Sequence, residues 1–383
     1  MSVHDPDPFS ALTALAAWGW SPVFQAAFDT LDAPGLSPAR VTRQHRDRYE
    51  VVAAVGSRSA AVSGRLRHEA RTEADFPAVG DWVAVDGGHG PDSDRAGSDE
   101  TGSEAGAAVI HRVLPRRSAF SRVAAGRTNS EQVIAANVDV VFVVTSLNRD
   151  FNVRRMERYV ALGWESGAQP VIILSKADLA DDLDGSILTT EATAPGVDVL
   201  AVSVVDGTGM DGLRSMMAPG RTVALVGSSG AGKSTLVNAL AGQDLMATAE
   251  VRLDDSRGRH TTSGRHLLLL ETGLILDTPG LRELGLLDGD GIENSFVDIA
   301  ELAMGCRFSD CGHGAEPDCA VTAALAEGGL ERDRFDAYEK LVREARYAER
   351  KTDALARLAE RRRWRNISRS VGVHMQLKYG DDR

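Results

Sequence analysis

At 383 residues, with 43% hydrophobic, 26% charged and 5% aromatic residues, the chain has material for two or three soluble domains. No basic segment leads into an apolar run at the N-terminus, and the longest apolar run, near VDVVFVVTSL, is too short for a bilayer. Neither a secretory leader nor a membrane span is therefore expected, and a cytoplasmic protein is. The net charge of −12 argues against a polyanion partner for the chain as a whole, but Lys340 to Arg369 carries a local excess of +7 and leaves −19 on the remainder, an acidic body with a basic tail.

Residues 1–40 read as a helical extension in which Leu12, Leu15, Trp18 and Trp20 form a partly amphipathic packing arm. Over 41–116 the pattern changes to short alternating runs, YEVVAAVG, SAAVSGRLR, DWVAVD and AAVIHRVL, which predict the strands of a small β-barrel. In FPAVGDWVAV, Gly80 and Asp81 suit a corner where the chain turns into a strand. Residues 87–107 are rich in Gly, Ser and acid with almost nothing apolar to bury, so they read as a flexible acidic insertion in a barrel loop.

Over 117–287, and clearly from Val138, near-continuous apolar runs alternate with helical stretches: VDVVFVVTSL, PVIILSKADL, DVLAVSVV, TVALVGSS, HLLLL and LILDTPG. Strands of this kind, buried on both faces, predict a largely parallel α/β sheet. Residues 288–383 become helical and cysteine-bearing and end in a long charged helix.

Within the α/β region Gly227, Ser228, Ser229, Gly230, Ala231, Gly232, Lys233, Ser234 and Thr235 form a phosphate loop, with a strand before it and the helix-forming TLVNALAG after it. Its glycines let backbone N–H groups converge on phosphate oxygens at a helix N-terminus. Lys233 is placed to reach the β- and γ-phosphates and the Ser234 hydroxyl to ligate Mg²⁺. Asp277 and Gly280 fit D-x-x-G, the aspartate holding Mg²⁺ through water and the glycine N–H sensing the γ-phosphate. Between the two motifs GRHTTSG offers Thr261 and Thr262 to complete the magnesium shell. Thr262 is favoured, although the pattern barely separates them.

Ser175, Lys176, Ala177 and Asp178 read as a guanine-reading loop with serine where asparagine is usual. The aspartate can accept from guanine N1–H and the 2-amino group together, which adenine does not offer, and the lysine stem can lie over the base. The serine loses an amide contact, which points to weaker nucleotide binding. Ser203, in VSVVDGTG, marks the remaining base-side loop. The base reader precedes the phosphate loop in the chain, the reverse of the usual GTPase order. Termini that lie close together can be joined and the chain opened elsewhere, so the pattern predicts a circularly permuted GTPase. Leu281 occupies the position after D-x-x-G where many GTPases carry a water-orienting glutamine, which predicts slow intrinsic hydrolysis. His260 is the nearest polar candidate for that catalytic role; contacting RNA or capping the loop are equal alternatives.

All three cysteines fall in CRFSDCGHGAEPDC. Cys306, Cys311, His313 and Cys319 supply three thiolates and an imidazole, a closed tetrahedral set for one structural Zn²⁺. The tail RLAERRRWRNISRS interleaves arginines with Trp364, which suits phosphates and an unpaired base, although a solvated helix face is the commoner use of such charge. The barrel resembles an OB-fold, whose open face commonly binds oligonucleotides.

Together FPAVGDWV, QVIAANVD, SKAD, GSSGAGKST, GRHTTS, DTPG and the cysteine cluster resemble one family closely: the ribosome small-subunit-dependent GTPase A (RsgA, or YjeQ) family. The resemblance covers nearly the whole chain beyond residue 40. It implies an OB-fold barrel, a circularly permuted P-loop GTPase domain and a mostly helical zinc-binding C-terminal domain, with Zn²⁺ on the same four residues. It also implies a GTPase that hydrolyses GTP to GDP and phosphate, engaging the 30S subunit through 16S rRNA during late maturation. The alternative is a GTP-dependent RNA-binding latch with negligible turnover. A monomer with no DNA partner is expected. Ser175 and the acidic insertion depart from the family pattern.

Overall fold

A computed structural model describes residues 14–31, 33–45, 47–86, 107–123, 131–148, 151–246, 265–277, 290–314 and 316–352. A short helix, α1 (Pro22–Asp29), precedes five strands: β1 (Leu36–His45), β2 (Arg48–Ala53), β3 (Gly56–Val62), β4 (Trp82–Asp86) and β5 (Ala108–Val113). They close in the order β1-β2-β3-β5-β4-β1, with β3 and β5 parallel and every other pair antiparallel. Period-two alternation sends Val41, Val51, Ala60, Val83, Val85 and Ile110 into the barrel. Leu15, Phe24 and Trp82 pack together outside it, with Trp20 edge-on to Trp82 at 4.7 Å, so the N-terminal arm is fastened by aromatic burial. Residues 87–106 lie between the paired strands β4 and β5 and outside the described residues.

SAAVSGRLR divides where a single strand was expected. The strand ends at Val62, and Ser63 caps α2 (Gly64–Glu69), its Oγ accepting from the Leu66 N–H. Gly80 makes the expected corner with φ +92°. A Cβ there would sit 2.1 Å from the Ala136 carbonyl oxygen. Asp81 is fully buried; it accepts from the Ala78 N–H and binds Arg116 through two contacts of 2.9 and 2.8 Å.

An antiparallel hairpin, β6 (Ala119–Val123) and β7 (Glu131–Ala136), leads into the α/β unit. Its strands are β8 (Val140–Ser146), β9 (Gln169–Ser175), β10 (Asp198–Val202), β11 (Thr222–Val226), β12 (Arg265–Leu270) and β13 (Gly273–Asp277). Between them run α3 (Val153–Glu165), α4 (Leu183–Thr193), α5 (Met210–Met216) and α6 (Lys233–Ala241). The order is β10-β9-β8-β11-β13-β12, parallel except for β12 against β13. Alternate residues of β8 and β9 serve two cores: Val141, Val143, Ile172 and Leu174 face α3, while Phe142, Val144, Val171 and Ile173 face α5 and α6. This double burial is why those runs carry no polar alternation.

The barrel and this sheet are continuous. β1 pairs antiparallel with β12 through Arg43↔His266 and Gln44↔Arg265, giving one eleven-stranded sheet.

The last unit comprises α7 (Asp290–Ser295), α8 (Val297–Ala303), α9 (Ala320–Glu327) and α10 (Arg332–Thr352). Arg334 fastens it to the α/β unit. Its guanidinium donates to Glu157 of α3 at 2.6 Å, to both oxygens of Asp298, and to the Ser295 and Thr193 carbonyls. Among the described residues no helix is long and apolar enough to cross a membrane.

Candidate functional site

β11 delivers the chain to Gly227, where φ is +141° and a Cβ would lie 2.1 Å from the Val144 carbonyl oxygen, so no side chain fits between the loop and β8. Ser228, Ser229 and Gly230 arch outward, Ala231 is fully buried, and Gly232 in the left-handed region starts α6. Lys233, Ser234 and Thr235 form the first turn of that helix. The Lys233 ammonium curls back over the loop to the carbonyls of Gly227 (2.8 Å) and Ser228. The arch, its lysine and the positive helix end make an anion cradle.

The base-side loop is bonded directly onto this cradle. Ser175 ends β9; its buried hydroxyl lies 2.6 Å from the Ala231 carbonyl and 3.3 Å from that of Thr145. Lys176 adopts φ +58°, and its ammonium donates to the Gly230 carbonyl at 2.9 Å. Ala177 is buried beneath the turn that follows, and Asp178 is exposed on it. Next door, Ser203 follows β10, its Oγ accepting from the N–H groups of Val205 and Asp206.

Asp277 is the last residue of β13, which runs parallel to β11. Parallel strands bring the phosphate loop, Ser175 to Asp178 and Asp277 to the same edge of the sheet, the usual place for a ligand in an open α/β fold. His260, Thr261, Thr262 and Gly280, with Leu281, lie outside the described residues.

In the C-terminal unit Cys306, Cys311, His313 and Cys319 converge with all four ligand atoms within 4.8 Å of one another. The sulfurs of Cys306 and Cys319 are 3.8 Å apart and lie 3.7 and 3.6 Å from His313 Nδ1. Zinc bonds of about 2.3 Å to sulfur and about 2.0 Å to nitrogen at tetrahedral angles set edges of roughly 3.8 and 3.5 Å, so this donor set fits zinc. The Cys319 thiol is held below its ordinary range: burial opposes this, but hydrogen bonds from Thr322 and then His313 outweigh it.

Sequence reasoning missed the residues that join the barrel to this site. Arg40, fully buried, donates to the carbonyls of Gly80, Trp18 and Asn137 and to Thr222 Oγ1 at 2.8 Å, and lies 5.4 Å from the Trp82 ring. Burial lowers its pKa to about 10, opposed by Asp139 and Asp81. A cation set between Ala39 and Val41, which both face the barrel core, was the available signal. Arg43 donates from Nε and Nη2 to His266 Nδ1 at 3.1 and 2.9 Å. Burial, then the Arg43 charge, push the His266 pKa down. A cavity of about 420 Å³ opens at the same seam, lined among others by Gln44, Tyr49, Arg67, Phe76 and Arg265.

Residues 113–287 match the RsgA GTPase family profile. The small ribosomal subunit biogenesis GTPase RsgA of Opitutus terrae is 45% identical over 92% of this chain and 95% of its own length. The protein of that name from Streptomyces coelicolor is 41% identical over 96% of both chains. Two crystal structures share the fold. That of YjeQ from Thermotoga maritima has a TM-score of 0.58 at 24% identity and covers 81% of this chain and 98% of its own. That of YloQ, described as a circularly permuted GTPase, has a TM-score of 0.56 at 22% identity over 82% and 96%.

Proposed function

Because the chain belongs to the RsgA GTPase family, we propose that it hydrolyses GTP to GDP and phosphate on the small ribosomal subunit during late maturation, contacting 16S rRNA. The reading also makes it a cytoplasmic monomer with no DNA partner. The observation that carries the nucleotide site is the bonding of Ser175 and Lys176 to the Ala231 and Gly230 carbonyls. It ties base reading to phosphate binding although the two motifs stand in permuted order.

In this reading the loop N–H groups from Ser228 to Ser234 and the Lys233 ammonium hold the phosphates. Asp178, exposed at the strand end, accepts from guanine, and the Lys176 stem covers the base. The Ser234 hydroxyl, Asp277 through water and Thr262 would hold Mg²⁺, which when bound neutralises charge on the transferred phosphoryl oxygens. The Gly280 N–H senses the γ-phosphate. His260 orients the attacking water, with Leu281 offering no hydrogen-bonding group. Cys306, Cys311, His313 and Cys319 would hold one Zn²⁺ as a structural tie, filling all four of its positions.

The test is competition of GTP against ATP for binding, then turnover measured with and without purified 30S subunits. Preference for GTP and turnover raised by 30S subunits are expected. GTP binding without turnover in either case would leave the latch reading.

A further inference from the structure

A line of polar residues crosses four strands in register. Asp277 on β13 lies opposite His266 on β12, His266 opposite Arg43 on β1, and Arg43 opposite Glu50 on β2. Directly opposed residues of antiparallel strands share a face, with Cβ atoms about 4.5–5.5 Å apart. The four side chains therefore run from the nucleotide edge of the α/β sheet into the barrel. Arg43 Nη1 pairs with Glu50 at 3.0 Å, while its Nε and Nη2 both point at His266 Nδ1. A guanidinium has no acceptor, so Nδ1 must be the acceptor. The ring proton is then on Nε2, which remains an N–H donor.

The join that this line spans is narrow. Among the described residues β1 meets β12 through two pairs, the second reinforced by Arg265 Nη1 donating to Gln44 Oε1 at 3.3 Å. β12 starts at Arg265, three residues after Thr262. The barrel thus pairs with the start of the strand that faces Asp277.

We infer that His266 is a positioning residue for nucleotide-bound magnesium: Arg43 of the barrel fixes its tautomer and orientation, and His266 orients the Asp277 carboxylate. The inference rests on the GTPase reading above. By linkage, whatever loosens the barrel from β12 weakens the magnesium contribution to nucleotide binding, and magnesium-loaded nucleotide tightens the barrel by the same factor.

The test uses the full-length protein and a fluorescent GDP analogue, with release timed in Mg²⁺ and in EDTA. The readout is the ratio of the two rates. Arg43→Gln and His266→Leu are each expected to shrink that ratio roughly three- to tenfold, the worth of one lost hydrogen bond, with the EDTA rate held within about twofold. His266→Gln keeps an acceptor for Arg43 and an N–H for Asp277, and should recover most of the ratio. The double variant Arg43→Gln/His266→Leu should lose no more than the larger single loss, since both cut one line. A merely structural role would speed release equally with and without Mg²⁺; that result, or additive losses, overturns the inference. Should His266→Leu melt early, Arg43→Gln at the partly exposed edge and the glutamine rescue decide it alone. Wild-type turnover reports separately on the parent reading. A wild type that does not use GTP removes both; a competent wild type with unchanged ratios in the variants removes the inference alone.

Discussion

Ser175 shows how one substitution within a motif can be absorbed. Serine lacks the amide expected at this position, yet its hydroxyl still reaches the phosphate-loop carbonyl of Ala231 at 2.6 Å. Ser175→Ala should weaken GTP binding by about 1 kcal/mol, roughly fivefold, in a fluorescent-nucleotide titration, because it removes one buried hydrogen bond. Asp178, by contrast, is exposed at the end of β9, and in the proposed site it is the residue that accepts from the base. Asp178→Asn swaps an acceptor for a donor and should move preference from GTP toward xanthosine triphosphate in a competition assay; unchanged preference would remove Asp178 from the site. Gly80 is a steric requirement of another kind. With φ +92° and a carbonyl oxygen 2.1 Å from any Cβ, Gly80→Ala should cost about 1–3 kcal/mol or more, read as a lowered melting temperature with the nucleotide motifs untouched.

Among the elements, the C-terminal helices are held by one cation and one donor set. Glu157 is 2% exposed and would keep Arg154, whose Nη1 donates to both its oxygens, so Arg334→Leu should cost about 1.5–3 kcal/mol in chemical denaturation, the worth of hydrogen bonds to a charged group. Asp298, on the same guanidinium, is held below the ordinary carboxylate value of 3.8; burial opposes the shift and Arg334 outweighs it. A depressed carboxylate contributes stability above its ordinary pKa and loses it as pH falls through the lowered value. Acid unfolding of the wild type below about pH 4 should therefore carry this component, and Arg334→Leu should flatten it. Cys311→Ala should lose zinc by metal analysis and loosen the segment between α8 and α9, while GTP binding at the distant sheet edge persists. These elements were legible in the sequence to different degrees. The cysteine cluster, the phosphate loop and the strands buried on both faces announce themselves within a few residues. The β6–β7 hairpin did not, because its apolar stretches are short and gain their meaning from Gly80 and Ala136, which are 56 residues apart in the numbering.

On the scale of the molecule, the permuted order and most of the barrel were legible, since each follows from local runs and their sequence, but β1 was not: it begins at Leu36, inside the stretch read as a helical extension. The continuity between them was not. Arg43 and His266 are 223 residues apart, and polar side chains on a strand edge look like ordinary solvent-facing positions until the partner strand is in place. The basic segment remains the feature best suited to a polyanion: Lys340 to Arg369 carries +7 on an otherwise acidic chain. Removing residues 353–383 should weaken 30S binding and flatten its salt dependence, because phosphate contacts release counterions. Equal affinity across a salt titration would reduce the segment to a solvated run of charge.

The join between β1 and β12 also has a consequence in time. Translation proceeds at about 5–20 residues per second, so His266 follows Arg43 out of the peptidyl-transferase centre by roughly ten to forty-five seconds. The barrel strands are complete by Val113, and its own closure leaves the edge at Arg43 and Gln44 waiting for a strand not yet made. In a chain of the usual motif order the phosphate loop would appear early and could capture nucleotide during synthesis. Here Lys233 arrives after the barrel, the base reader and four of the six strands of the α/β unit, with β13 and β12 still to be added beside β11. The permuted order thus puts the phosphate loop after the barrel in the order of synthesis, and puts the strand that joins the two later still.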